Sequence, residues 1–316
     1  MSFLRGRPSI VGLVLFILAV VVAVAAPRYA TGLVRVVIDA TPVTSFDNRD
    51  PSKVRFGNLE FRGGLALESK YPAFGGISGI HVEPGGNRFI AVTDKGSWLR
   101  GRIIYRDGRP AGIADTEMAP ILGQDGRPLA ARGWYDTESL AERDGILYVG
   151  IERVEQIVRF DYRRDGLLAR GQPINVPADF KTLTYNKSLD AAGNLRSFVL
   201  GTNRVTRFSV KRTDEFDVSD CTILPPDDLL LLERRFSFVR GIAIRIRRVP
   251  ISSLKEGVVV DGRTMIEADL AYEIDNMEGI SIHRTTGGET IITIVSDDNF
   301  SVLQRNLLLQ FAVVGE

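Results

Sequence analysis

Beyond residue 55 the apolar positions fall in short runs rich in Val, Ile, Leu and Phe, each closed by Gly, Asn or Asp. Sustained helical periodicity is absent from this stretch, and short apolar runs between turn residues predict strands. Gly79–Val82 reads as one strand, followed by a Pro84-Gly85-Gly86-Asn87 turn and a second strand from Arg88 to Thr93-Asp94. Ile146–Ile151 and Gln156–Asp161 read as a consecutive pair, with Ile242–Val249 and Leu307–Val313 as further strands. The expected class is all-β.

The same plan recurs along the chain. A strand opens at a polar residue (Ser78, Glu138, Asp190, Glu278), turns, and is followed by a strand that exits at another (Asp94, Glu152, Thr202, Asp297), at separations of 16, 14, 12 and 19 residues. Asp227-Asp228-Leu229-Leu230-Leu231-Leu232 gives one more exit at Glu233-Arg234. Hairpin turns absorb such length differences. Repeats of this size, built from three or four antiparallel strands, are propeller blades, and at ~45 residues each about six are expected. Phe56–Leu67 is placed to pair with the C-terminal blade and close the ring, removing exposed edges.

Ahead of the repeats, Arg5 and Arg7 precede the uninterrupted apolar stretch Ile10–Ala26, with Ala23-Val24-Ala25 as a small-x-small site. Residues 1–27 are therefore expected to be a cleaved signal peptide or an uncleaved membrane anchor, residues 28–55 a lead-in and residues 56–316 the propeller. Both readings place the body outside the cytoplasm, periplasmic or secreted, and touching a membrane only through this segment.

Composition narrows the chemistry. Forty Lys+Arg stand against 39 Asp+Glu, so no global field recruits nucleic acid. The single cysteine, Cys221, excludes an internal disulfide and a Cys-cluster metal site. With only His81 and His283 present, a multi-histidine zinc centre is nearly excluded as well, and a bound metal would need oxygen ligands, as Ca²⁺ or Mg²⁺ do.

Acids at equivalent blade positions converge at the mouth of a propeller channel while lying far apart in sequence. Glu138 and Glu278 open blades, and Asp94, Glu152, Glu233, Asp297 and Asp298 close them. Crowded carboxylates need cations. A hard divalent ion is one answer. The other is a ring of ion pairs, because Asp94-Lys95, Glu152-Arg153 and Glu233-Arg234 each carry their own base. Asp297-Asp298-Asn299 has no base beside it, which makes it the first choice for metal ligands.

Nucleophilic catalysis has little support. Gly76-Ile77-Ser78-Gly79-Ile80 misses the final glycine of the nucleophile elbow and lies in a propeller strand. His81, His283, Trp98, Trp134 and Phe300 read first as packing residues.

FGGISGI, TDKGSWL, DTESLA, YVGIERVEQIVRFD, LLLLERRFS, NMEGISI and VSDDNFSVLQRNLLLQF, in this order from about Asn58 to Val313, resemble the phytase-like family of bacterial β-propeller proteins, described as having esterase-like activity of phytase. The resemblance implies a propeller, export and, more distantly, calcium-dependent hydrolysis of phosphate monoesters. The positions that match are Asp94, Glu138, Glu152, Glu233, Glu278, Asp297, Asp298 and Asn299; in the third module Asp190 stands where the family pattern has glutamate.

The expected function is a Ca²⁺-dependent hydrolase of phosphate or carboxylic esters acting on a small anionic substrate. A channel-mouth Ca²⁺ bound by some of Glu138, Glu278, Asp297 and Asp298 is expected to polarise the ester and activate a water. Glu138, Glu278, Arg153 and Arg234 are the catalytic candidates, with Arg153, Arg234, Arg235 and Lys95 steadying the anion. A non-catalytic envelope propeller that binds a ligand or protein, and a lactonase on the same scaffold, are the alternatives.

Overall fold

The computed structural model describes residues 29–180, 188–201, 204–237 and 240–315. The leader, residues 1–27, and the exit residue Thr202 lie outside the described residues.

Five antiparallel sheets follow one another along the chain. The first contains Ile77–Val82, Arg88–Thr93, Ser97–Arg106 and Arg109–Pro120, in that spatial order, and the second Thr137–Arg143, Ile146–Ile151 and Gln156–Asp161. The third is a small sheet of Leu195–Leu200 and Val205–Val210, extended by a parallel pairing to Val259–Val260. The fourth holds Asp217–Leu224, Asp228–Ser237, Gly241–Pro250 and Arg263–Asp269, and the fifth Asn276–Arg284, Thr290–Asp297 and Asn306–Val313. This is a propeller with five blades among the described residues, one fewer than the length suggested.

The ring closes as the sequence predicts. Leu59–Glu68, from the N-terminal side, pairs with the last strand of the chain from Val313↔Leu59 to Asn306↔Leu67. The lead-in is built into the fold as well. Val34–Arg35 pairs with Met118 and Glu117 on the first blade, and Asp39–Val43 pairs with Glu68–Gly64 on the last.

The blades stack through apolar faces. Phe61, Leu232, Ile246, Ile294 and Phe311 fill the space between the fourth and fifth, Leu65, Ile80, Phe89 and Val295 that between the fifth and first, and Trp98, Val149 and Phe160 that between the first and second. Middle strands are therefore covered on both faces and read as unbroken apolar runs, which is why Thr290–Asp297 is buried almost throughout.

Four inner strands pack on one another in a ring: Ile77–Val82 on Thr137–Arg143 and Asn276–Arg284, and Asp217–Leu224 on the latter two. Glycine permits the closest of these approaches. A Cβ on Gly279 would stand 3.1 Å from Gly79 Cα, and one on Gly79 would stand 2.9 Å from the Leu140 nitrogen. Side chains tie the inner strands where no ladder runs. Val82 N–H donates to Ser281 Oγ at 2.9 Å, and Ile280 N–H to Asp220 Oδ2 at 2.8 Å.

Candidate functional site

At one end of the inner strands, loops of the first two blades are linked by their own backbone. Asp94 N–H donates to Gly76 O (2.8 Å), Asp136 N–H to Asp94 O (2.5 Å) and Glu152 N–H to Asp136 O (2.9 Å). This chain fixes Asp94, Asp136 and Glu152 relative to one another whatever their side chains do. Gly75 and Gly76 sit at φ +124° and +64°, and side chains there would run into Asp298 and Asp94; a Cβ on Gly76 would lie 2.1 Å from Asp94 Oδ1. The paired glycines of the FGGISG stretch thus make room for two carboxylates.

From the fifth blade come Glu278 and Asp297. Both are buried, and Asn276, directly across the ladder from Asp297, donates from its side chain to Glu278 Oε1 at 2.8 Å. Arg234 arrives from the fourth blade with its guanidinium 3.3 Å from Glu278 and donating to Asn276 Oδ1. Lys95 pairs with Asp94 at 3.1 Å.

Burial and crowding together raise the proton affinity of Glu138, Asp297, Glu278 and Asp94. Glu138 is pushed up to about 9, first by burial and then by the charges of Glu278, Glu152, Asp136 and Asp297. Asp297 is raised by burial and by Glu278, Asp94 and Asp298. Glu278 is also raised, burial outweighing the help of Arg234 and Asn276, and Asp94 is raised by burial against the pull of Lys95. Asp94 Oδ1 is buried and accepts no hydrogen bond. Beside the acids lies a cavity of about 250 Å³ lined by Glu138, Ser139, Ile151, Glu152, Phe180 and Ser219.

Asp94, Glu138, Glu152, Glu278 and Asp297, predicted to converge from three separate modules, are therefore brought together. Other predicted members stand elsewhere. Glu233 is not an exit residue: its strand continues to Ser237, and the carboxylate is fully buried between Arg245 (2.7 Å) and Arg247, which donate to it. Its location is set by two cations on the neighbouring strand. Asn299 turns away from the acids, its side chain donating to Gln304 Oε1 at 3.3 Å, while its N–H caps Asp297 at 2.6 Å. Asp298 stays at the edge, where Oδ1 accepts from Gly76 N–H (2.8 Å) and Phe300 N–H (3.1 Å). Asp190 is engaged in its own turn by the amides of Ala192 and Asn194.

The expected acid–base neighbours form only at Asp94-Lys95. Arg153 lies over the Tyr135 ring at 4.5 Å, and Arg235 lies over Phe216 at 4.6 Å. Trp98 is a core residue in edge contact with Phe160. Two members of the site were missed, Asp136 and Asn276. The repeat held the signal: both stand two residues before an opening glutamate, in Asp-Thr-Glu and Asn-Met-Glu.

Fold and site together define a β-propeller whose inner strands end in an acidic mouth. The chain belongs to the phytase-like family (esterase-like activity of phytase), whose profile matches residues 72–191 and 186–300. No curated protein matches it. Solved structures give distant likenesses. The N-terminal domain of Nup159 is 10% identical over 83% of this chain and 97% of that one, with TM-score 0.37. PQQ-bound aldose sugar dehydrogenase from Streptomyces coelicolor is 10% identical over 88% and 98%, with TM-score 0.38. Glutaminyl cyclase from Myxococcus xanthus is 10% identical over 89% and 99%, with TM-score 0.30.

Proposed function

We propose that the acidic mouth is a hydrolytic centre for esters of phosphoric or carboxylic acids, working with Ca²⁺ as its counter-charge. One observation carries this reading: carboxylates from three blades face one another beside a cavity, with Lys95 and Arg234 the cations bonded to them.

The donor set suits a hard cation. It consists of oxygen alone, and Asp94 Oδ1 is buried without a donor. Among the described residues no three carboxylate, His or Cys side chains are gathered closely enough to hold an ion as they stand. The fit is one of charge and donor type, and Glu138, Glu278, Asp297 and Asp94 are the residues that would hold Ca²⁺. Bound there, the ion would polarise the ester oxygen and make a nearby water more acidic.

The chain's own residues supply the rest. Asn276 and Glu278 hold one side of the Arg234 guanidinium, whose half-exposed remainder is available to an anionic oxygen of the substrate. Glu152 lines the cavity next to Glu138, and its carboxylate is placed to orient an attacking water and take its proton. Ile151 and Phe180 give that cavity an apolar wall.

The test is a panel of p-nitrophenyl phosphates, carboxylic esters and lactones, assayed with Ca²⁺ and with a chelator. Turnover that needs Ca²⁺ and is lost in Glu138→Gln supports the proposal. No turnover of any class in the calcium-loaded protein overturns it in favour of a binding propeller. Turnover confined to lactones moves the chemistry to that class.

A further inference from the structure

The chain enters the fold at the mouth end. Ala30 N–H donates to Ser97 Oγ at 2.9 Å, and both residues are buried. Ser97 stands two positions after Lys95, whose ammonium lies 5.6 Å from the centre of the Phe300 ring. From Ala30 the chain runs away from the mouth. Ser97 is opposite Pro120, and the lead-in reaches Met118 at Val34 and Glu117 at Arg35. Whatever precedes Ala30, including the apolar stretch Ile10–Ala26, is therefore joined to the body beside the Phe300 loop.

That loop ends in bare apolar side chains. Val302 is 101% and Leu303 89% exposed, the largest exposures among the large apolar residues that the structure describes. They are held out by a hydrogen-bonded turn, in which Ser301 N–H donates to Asp298 O at 2.7 Å and Leu303 N–H to Ser301 Oγ at 3.2 Å. Phe236 and Leu270, also exposed, lie at the same end of the fourth blade, beyond Arg234 and Asp269.

We propose that the mouth face rests on a lipid bilayer, with Ile10–Ala26 retained as the anchor and Val302-Leu303 entering the interface of the same leaflet. Two apolar side chains alone bind a bilayer too weakly to hold the protein there. A tether fastened at the same end makes their insertion intramolecular, so a small apolar tip suffices. Arg5 and Arg7 precede the apolar stretch and stay on the opposite side of the membrane. The hydrolytic reading is not needed for this inference, and the experiment reads position rather than turnover.

The full chain, with Cys221→Ser, is reconstituted into phosphatidylcholine vesicles carrying spin-labelled lipid. A nitrobenzoxadiazole probe is attached at Leu303→Cys, at Phe236→Cys or at Gly287→Cys, the last lying in the turn at the far end of the fifth blade. The expected result is a blue-shifted emission quenched severalfold at Leu303→Cys and none at Gly287→Cys. Val302→Asp with Leu303→Asp is expected to reduce lipid quenching at Phe236→Cys while the chain stays in the vesicles. Equal, weak quenching at Leu303→Cys and Gly287→Cys overturns the proposal, as does shielding from water without lipid quenching, the mark of a protein partner. So does recovery from the cell envelope of a chain that begins at or beyond Ala26.

Discussion

The Arg234 guanidinium stands 3.3 Å from the Glu278 carboxylate across the boundary between two blades. Its sequence neighbour Glu233 points the other way, into a buried pair of arginines on its own blade. Two adjacent charges thus serve different ends, one the mouth and one the core, and variants can separate them.

Arg234→Ala leaves Glu278 buried with only Asn276 as a donor. Because the Arg234 side chain is 43% exposed, the cost to stability is about 1 kcal/mol. The loss in binding an anionic substrate is expected to be larger, read as a rise in KM with a smaller change in kcat. Equilibrium urea unfolding and steady-state kinetics check the two parts.

Glu233→Gln leaves the buried Arg245 and Arg247 without their shared buried carboxylate, keeping only the more exposed Asp214 (3.7 Å) and Asp261 (3.0 Å) as acidic partners. Breaking one side of a buried ion pair costs about 3–5 kcal/mol, so a large drop in unfolding free energy is expected. Calcium affinity of the protein that remains folded is expected to be unchanged, since Glu233 takes no part in the mouth. Denaturation and calcium titration on the same variant decide this.

Gly76→Ala places a methyl group against Asp94 at a residue with φ +64°. The left-handed backbone alone costs roughly 1–3 kcal/mol. Asp94 must also move, so loss of stability and of calcium response are expected together. Gly85→Ala, also at positive φ but with open space around it, is expected to lose stability alone.

His283 is buried against the Gly86 turn with Nδ1 unbonded, and burial lowers it to about 4 from 6.5. A base that must stay neutral when folded gives stability that is present above its unfolded pKa and lost as pH falls through the folded one. Between about pH 6.5 and pH 4 the protein is expected to lose on the order of 2–3 kcal/mol. His283→Gln is expected to flatten that part of the curve measured by thermal unfolding.

The mouth acids act in the opposite direction. Glu138 binds its proton more tightly folded than unfolded, with a folded pKa of about 9, so metal-free stability falls as pH rises from about 4.5 to about 9. Calcium, replacing protons as the counter-charge, is expected to remove most of that slope. Unfolding temperatures across this range, with chelator and with calcium, check it.

Much of this arrangement was legible because it repeats. Ile146–Ile151 and Gln156–Asp161 have the bounds their apolar runs predict, and Phe56–Leu67 closes the ring as its position suggests. Asp217–Leu224 was hidden because Asp217, Ser219 and Asp220 interrupt any apolar run, and Asp220 earns its buried place by accepting from Ile280 N–H. Glu233 looked like an exit because four leucines precede it. The alternation Ile244-Arg245-Ile246-Arg247 on the next strand held the contrary signal, two arginines on the face that Glu233 occupies. Asn299 reads as a ligand beside two aspartates, but it sits in a left-handed turn (φ 47°) with its side chain bonded to Gln304.

Glu138, Glu278, Asp297 and Asp94 are proposed to hold one cation between them. Isothermal titration of Ca²⁺ into the metal-free full chain tests this most directly. One saturable site per chain is predicted, weakened at least tenfold in both Asp297→Asn and Glu278→Gln and unchanged in Glu233→Gln. Absence of binding in the folded native protein, or equal binding in all of these variants, would contradict it.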